Sequence, residues 1–256
     1  MQSEYVFGGH IVRIPPPPYP PGAAAFEHSR AMGIGLLQPT KPTDATSLEG
    51  VNGAFLPAAT ADRVWPCAKA VAEWLHSTRA PPLIGRSVLE LGSGCGLAGF
   101  AAWKAGATRV CLSELPENLA RLEQLVAANE CGHVVSTAAL DWTQQLPPAL
   151  ATHWDVVVAA DCVFWPGLFG PLLATMAALG AQPGASPRFI LSMVDRLGRA
   201  KEFSAMASEA GWELQRLEQD CNGEKAIVEA RAGGKSLLAM QRESCELYEL
   251  RRRPDG

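Results

Sequence analysis

What this chain lacks narrows its function first. No two cysteines stand in C-x-x-C spacing and the five histidines form no ligand cluster, so no metal site is expected. The G-x-S-x-G elbow of a hydrolase nucleophile is absent. Neither sign of charge dominates: 22 basic against 26 acidic residues leave a net charge of -4, which gives no electrostatic case for a nucleic-acid partner. The opening residues MQSEYVFGGH carry no basic segment followed by an apolar one, so they do not read as a secretory signal. The seven cysteines are odd in number. They are expected as free thiols in a reducing setting, cytoplasmic with the nucleus as the alternative. Charge is also missing from residues 162–187, which invites a membrane-span reading. Pro166, Gly167, Gly170 and Pro171 break the first half of that run, however. A buried loop and a core helix are expected there, and no membrane partner.

What is present is an α/β pattern. With 48% hydrophobic residues in 256, the chain can build one large core. YVFGGHIVRI (5–14) reads as a strand pair, PPPPYPPG (15–22) as a stiff polyproline spacer, and 23–56 as an irregular excursion. Residues 1–56 are therefore set apart from a main domain at 57–256. WPCAKAVAEWLHS (65–77) places Ala68, Val71, Trp74 and Leu75 on one helical face. Strands and helices then alternate. Strands are expected at 87–91, 109–114, 134–142, 154–164 and 188–195, with helices at 97–106, 116–130, after Pro171, and at 198–211. WELQRLE (212–218), AIVEARA (226–232) and KSLLAMQRE (235–243) supply further strands, and Arg251–Arg253 reads as a solvated tail. Such alternation predicts a doubly wound, mostly parallel sheet with helices on both faces.

The first strand runs into GSGCGLAG (92–99), where a ligand must touch backbone and any Cβ would stand in its way. The run contains both G-x-G-x-x-G, which suits a dinucleotide, and E-x-G-x-G-x-G, which does not require one. Glu114 closes the second strand about 20 residues beyond Gly94, where a carboxylate can accept hydrogen bonds from ribose hydroxyls. Both ligands predict that much. Glu90 separates them, because an anion beside the turn at Gly92, Gly94 and Gly96 would repel a pyrophosphate and favour the cationic S-adenosylmethionine. The competing reading has Glu90 capping the following turn through backbone N–H groups.

VLELGSGCGLAG, LSELPENLARLEQLVAAN, ALDW and WDVVVAADCVFWPGLFGPLL together resemble the seven-β-strand, Rossmann-like protein-lysine methyltransferases of the methyltransferase-16 group. The similarity covers roughly residues 60–200, and DRVWPCAKAVAEWL resembles the tryptophan-bearing helix before the glycine turn of these enzymes. The resemblance implies S-adenosylmethionine as cofactor and S-adenosylhomocysteine as product. It implies Trp65 beside the methionine end, Gly92, Ser93 and Gly94 as a backbone cradle, Glu114 on the ribose and Trp142 beside the adenine. Ala160 and Asp161 would lie under the reactive end. A lysine of a cytosolic protein is the implied acceptor, and the chain is expected to act as a monomer.

A lysine acceptor must lose its proton before in-line attack, since its free pKa is near 10.4. Desolvation in a narrow apolar channel lowers that value, while Asp161 attracts the amine and fixes its approach. The chain departs from its relatives at D-x-x-Y, which here reads Asp161-Cys162-Val163-Phe164. Phe164 can hold a cationic amine against its ring but offers no hydroxyl. A second departure is Ala61, where many relatives have glycine after threonine. Three alternatives stay open: a histidine or small-molecule methyltransferase, a catalytically weak cofactor-binding interaction module, and, more distantly, a dinucleotide oxidoreductase.

Overall fold

A computed structural model describes residues 3–7, 9–15, 64–195, 198–217 and 245–253. The proline-rich spacer, the irregular excursion with Ala61, the strands expected at 226–232 and 235–243, and Cys221 lie outside the described residues.

The N-terminal strands β1 (Ser3–Phe7) and β2 (His10–Ile14) pair antiparallel, with Phe7 opposite His10. Alternation decides their fate: Phe7, Val12 and Ile14 turn inward and are buried. They pack into the same core as helix α1 (Pro66–Leu75), in which Val71, Trp74 and Leu75 face inward as their spacing requires. Asn129 ties the hairpin down further, accepting from the Arg13 N–H at 2.8 Å and donating to the Arg13 carbonyl at 2.8 Å.

The main sheet has seven strands. In chain order they are β3 (Ser87–Leu91), β4 (Arg109–Glu114), β5 (Val135–Ala139), β6 (Val156–Ala160), β7 (Arg188–Val194), β8 (Trp212–Arg216) and β9 (Cys245–Arg252). Their spatial order is β5-β4-β3-β6-β7-β9-β8. β3 to β7 are parallel, and β9 runs antiparallel between β7 and β8. β3, β4, β6 and β7 are apolar nearly throughout because helices cover both of their faces. Helices α2 (Leu97–Lys104) and α3 (Leu119–Ala128) join α1 on one face. α4 (Phe169–Gly180) and α5 (Arg199–Glu209) cover the other, where Phe169 meets Phe203 edge to face at 5.4 Å. The uncharged run thus ends as a core helix. Among the described residues no helix is long and apolar enough to cross a membrane.

Strand order reverses at β3, which leads to β4 on one side and neighbours β6 on the other. Crevices form at such reversals, beyond the carboxyl ends of the strands. The glycine turn follows β3, Glu114 ends β4 and Asp161 follows β6, all at this edge.

One local expectation holds only in part. Arg251 and Arg252 are exposed, as expected, but they form the end of β9 and not a tail. Charge hid the strand: Leu247 and Leu250 are buried, while Glu249 is buried because the Arg188 Nε donates to it at 2.6 Å and Arg251 at 2.7 Å. Arg252 donates to the Ala210 carbonyl at 2.8 Å and lies over the Trp212 ring. A stretch written as charges pairs with charges distant in the chain, so no local pattern announces it.

Candidate active site

Gly92, Gly94 and Gly96 all adopt left-handed backbone, which lets the chain reverse from β3 into α2 within a few residues. A Cβ on Gly92 would lie 3.1 Å from the Trp142 ring and 3.1 Å from the Cys162 sulfur. Trp142, after β5, therefore lies against the bend as an aromatic wall, and Cys162 forms its floor. The Cys162 thiol donates to the Leu91 carbonyl at 3.4 Å, stitching the segment after β6 to the end of β3. Burial pushes that thiol well above its ordinary pKa, which suits a packing and donor role rather than that of a thiolate. The turn is braced from β4 as well. The Ser93 N–H donates to the Ser113 carbonyl at 3.0 Å, and the Ser93 and Ser113 hydroxyls both donate to the Glu90 carbonyl.

Glu114 stands where the spacing put it, at the carboxyl end of β4. The Gly94 N–H donates to its Oε1 at 3.3 Å and the Asn118 amide to its Oε2 at 3.1 Å, with the Leu115 N–H at 2.5 Å. Burial raises this carboxyl above the ordinary glutamate value, and these donors partly offset the rise. Asn118, in the helical turn Pro116–Asn118 before α3, went unnoticed in the sequence. Its signal was its place four residues past the acid.

Glu90 behaves differently from the favoured expectation. Its side chain is 1% exposed and turns beneath the bend, where the Gly99 N–H donates to Oε2 at 2.9 Å. Burial raises its pKa to about 8, against the Gly99 and Ala98 amides that favour the charged form. Burial thus favours its neutral form and weakens it as a standing anion towards a cationic ligand. The capping alternative is the one its geometry adopts. A pyrophosphate would use the amides at the start of α2, and here Glu90 already takes one of them.

Asp161 follows β6 directly, with φ at +61°, a left-handed conformation that costs an aspartate of order 1 kcal/mol. Its N–H donates to the Ser192 carbonyl of β7 at 2.8 Å, and the residue is 8% exposed. The left-handed bend and this bond fix the backbone of Asp161 at the carboxyl end of β6, the strand next to β3. Ala160, half-buried, precedes it and pairs with Ser192. Trp65 is the residue before α1, half-buried, and Phe164 is half-buried at the end of the Asp161 segment. Sequence reasoning missed Cys162 as a floor and Ser192 as the brace of Asp161. Both depend on which strands are neighbours.

The bend, Glu114 and Trp142 fit the adenosine half of S-adenosylmethionine, with a glycine where a Cβ would meet the aromatic wall. Among the described residues no group of side chains could hold a metal ion.

A profile of lysine methyltransferases matches residues 56–210. Human histone-arginine methyltransferase METTL23 is 34% identical over 123 residues, 44% of this chain and 60% of that protein. Mouse protein-lysine methyltransferase METTL21E is 30% identical over 119 residues, 44% of this chain and 48% of that protein. The matches thus span about half to three-fifths of these relatives. Among solved structures, the mitomycin 7-O-methyltransferase MmcR superposes with a TM-score of 0.55 at 13% identity, covering 89% of this chain and 67% of that one, a likeness of fold. With its seven-stranded sheet, its braced glycine turn and a profile match over more than half its length, the chain belongs to the lysine methyltransferase family.

Proposed function

We propose that this protein transfers a methyl group from S-adenosylmethionine to a side-chain nitrogen of a protein, with lysine as the leading acceptor. The observation that carries the reading is the adjacency of two devices across β3 and β6. One is a backbone bend flanked by Glu114 and Trp142; the other is Asp161, pinned in a left-handed conformation at the next strand end. The cofactor supplies an electrophilic methyl group. The chain binds the ribose through Glu114, sets the adenine against Trp142, and shields the methionine end with Trp65. The amides and glycines of 92–96 admit the nucleoside close to the backbone. Asp161 draws in the acceptor amine and orients its lone pair, and water carries its proton away. Phe164 packs a cationic or neutral amine against its ring.

One observation favours a second reading of the acceptor. Phe164 lacks the hydroxyl of D-x-x-Y, and the relatives at similar identity include a protein named for arginine as well as one named for lysine. Histidine and small-molecule acceptors are the further outcomes. Buried thiols at positions 67, 95, 111, 131 and 162 support action in a reducing compartment, and we take the acting form to be a monomer.

Incubation of the full chain with methyl-labelled S-adenosylmethionine and cell lysate, followed by acid hydrolysis of labelled bands, tests the reading. Labelled methyl-lysine is the expected product. Labelled methyl-arginine or methyl-histidine would move the acceptor. Binding of S-adenosylhomocysteine without any labelled protein or metabolite would overturn catalysis altogether.

A further inference from the structure

Two cysteines far apart in the chain meet beside the acceptor edge of the sheet. Cys67 is the second residue of α1, and Cys245 is the first of β9. Their sulfurs are 3.6 Å apart across a separation of 178 residues. Cys67 is fully buried, whereas Cys245 is half-buried and nearer solvent. The sheet register explains the meeting. Cys245 pairs with Val194, and its side chain shares a face with Leu247, the face that α1 covers. Ser192, which pairs with Leu247 two residues before Val194 on β7, is buried beside the Cys67 thiol and interacts with it through its hydroxyl. Contact with Cys245, burial and the charge of Asp161 favour the protonated form of the Cys67 thiol, and the Ser192 hydroxyl opposes them.

We propose that Cys67 and Cys245 form a reversible disulfide on exposure to hydrogen peroxide, a modification site that staples the start of α1 to β9. Closing the sulfurs from 3.6 Å to the bonded distance of about 2.05 Å is a movement of about 1.5 Å. The half-buried Cys245 meets the oxidant first. Its thiolate attacks one peroxide oxygen, the O–O bond breaks, and sulfenic acid and hydroxide result. Cys67 then attacks the sulfenic sulfur and the S–O bond breaks. The departing oxygen leaves as water with the Cys67 proton, while the first hydroxide takes up the proton that Cys245 had released. Overall the two sulfurs lose two electrons, the peroxide gains them, and two waters form. The staple fixes α1 two residues from Trp65, on the side of the pocket where Asp161 stands. Its formation does not depend on the proposed methyl transfer.

The test uses the reduced full chain, treated with hydrogen peroxide, alkylated and digested without reductant. A peptide pair joining Cys67 to Cys245, 2 Da lighter than the sum of its reduced parts and removed by dithiothreitol, is expected. Thermal unfolding of the oxidised wild type is expected to rise by about 10 °C, because the bond closes a very long loop of the unfolded chain. Cys245→Ser should lose both the crosslink and the rise. A crosslink from Cys245 to Cys221, no crosslink at all, or a 67–245 crosslink that lowers the melting temperature would each overturn the site. The last would mean that the bond forms only in misfolded chains. Because crosslink and melting are read without turnover, failure of the proposed methyl transfer leaves this test intact.

Discussion

Glu90→Gln offers the sharpest check on how the site is built. In the folded protein burial raises Glu90 from the ordinary 4.5 to about 8, while the Gly99 and Ala98 amides pull the other way. Unfolding returns the carboxyl to water and to its ordinary value. Between these two values the folded chain holds a proton that the unfolded chain has released, so stability falls as pH rises from 4.5 towards 8 and levels off above. A displacement of that size corresponds to about 5 kcal/mol across the window. Glutamine keeps the shape, accepts the Gly99 N–H through its carbonyl oxygen, and cannot ionise. Its extra N–H group adds an offset that does not change with pH. Urea unfolding of both proteins at five pH values from 5 to 9, followed by tryptophan fluorescence, isolates the difference, because every other titrating group is shared. The wild type should lose about 3 to 5 kcal/mol relative to Glu90→Gln over that range. Two parallel stability curves would refute the reasoning, and with it the claim that this carboxyl sits buried and protonated under the turn.

The other expectations concern packing, cofactor and acceptor in turn. A Cβ at Gly99 would lie 2.2 Å from Leu112 Cδ2 and 2.8 Å from Glu90 Oε2, so Gly99→Ala should cost about 1–3 kcal/mol in urea unfolding; an unchanged midpoint would contradict this packing. Glu114→Gln should weaken S-adenosylhomocysteine binding by about 10- to 100-fold in calorimetry, through lost charge-assisted hydrogen bonds, and unaltered affinity would remove Glu114 from the ribose. Asp161→Asn should keep S-adenosylhomocysteine affinity within about threefold while cutting methyl transfer at least about 100-fold, whereas equal losses in both would make Asp161 a cofactor residue. Phe164→Tyr should raise methyl-lysine formation if the missing hydroxyl limits turnover on lysine, and a fall would show that the phenyl ring suits the true acceptor better.

Sequence alone fixed whatever depends on short-range pattern. Apolar runs bounded by glycine and proline placed β3 and β4 to the residue, and the long expected strand at 154–164 shrank to Val156–Ala160 because its ends turn into loops. The left-handed glycines between β3 and α2 and the acid about 20 residues further on were legible because a strand-turn-helix unit leaves few other places for a nucleoside. Tertiary structure decided whatever depends on partners distant in the chain. Glu90 stood in the right motif, but only the approach of α2 showed its carboxyl buried against Gly99, neutralised by the cost of removing a charge from water. Cys162 beneath Gly92, Ser192 behind Asp161 and Cys67 against Cys245 follow from strand order, which periodicity does not encode. β9 stayed hidden for the same reason. Its charges are stable inside the sheet because Arg188, many residues away, neutralises Glu249, and a pattern of neighbours along the chain carries no information about neighbours across it.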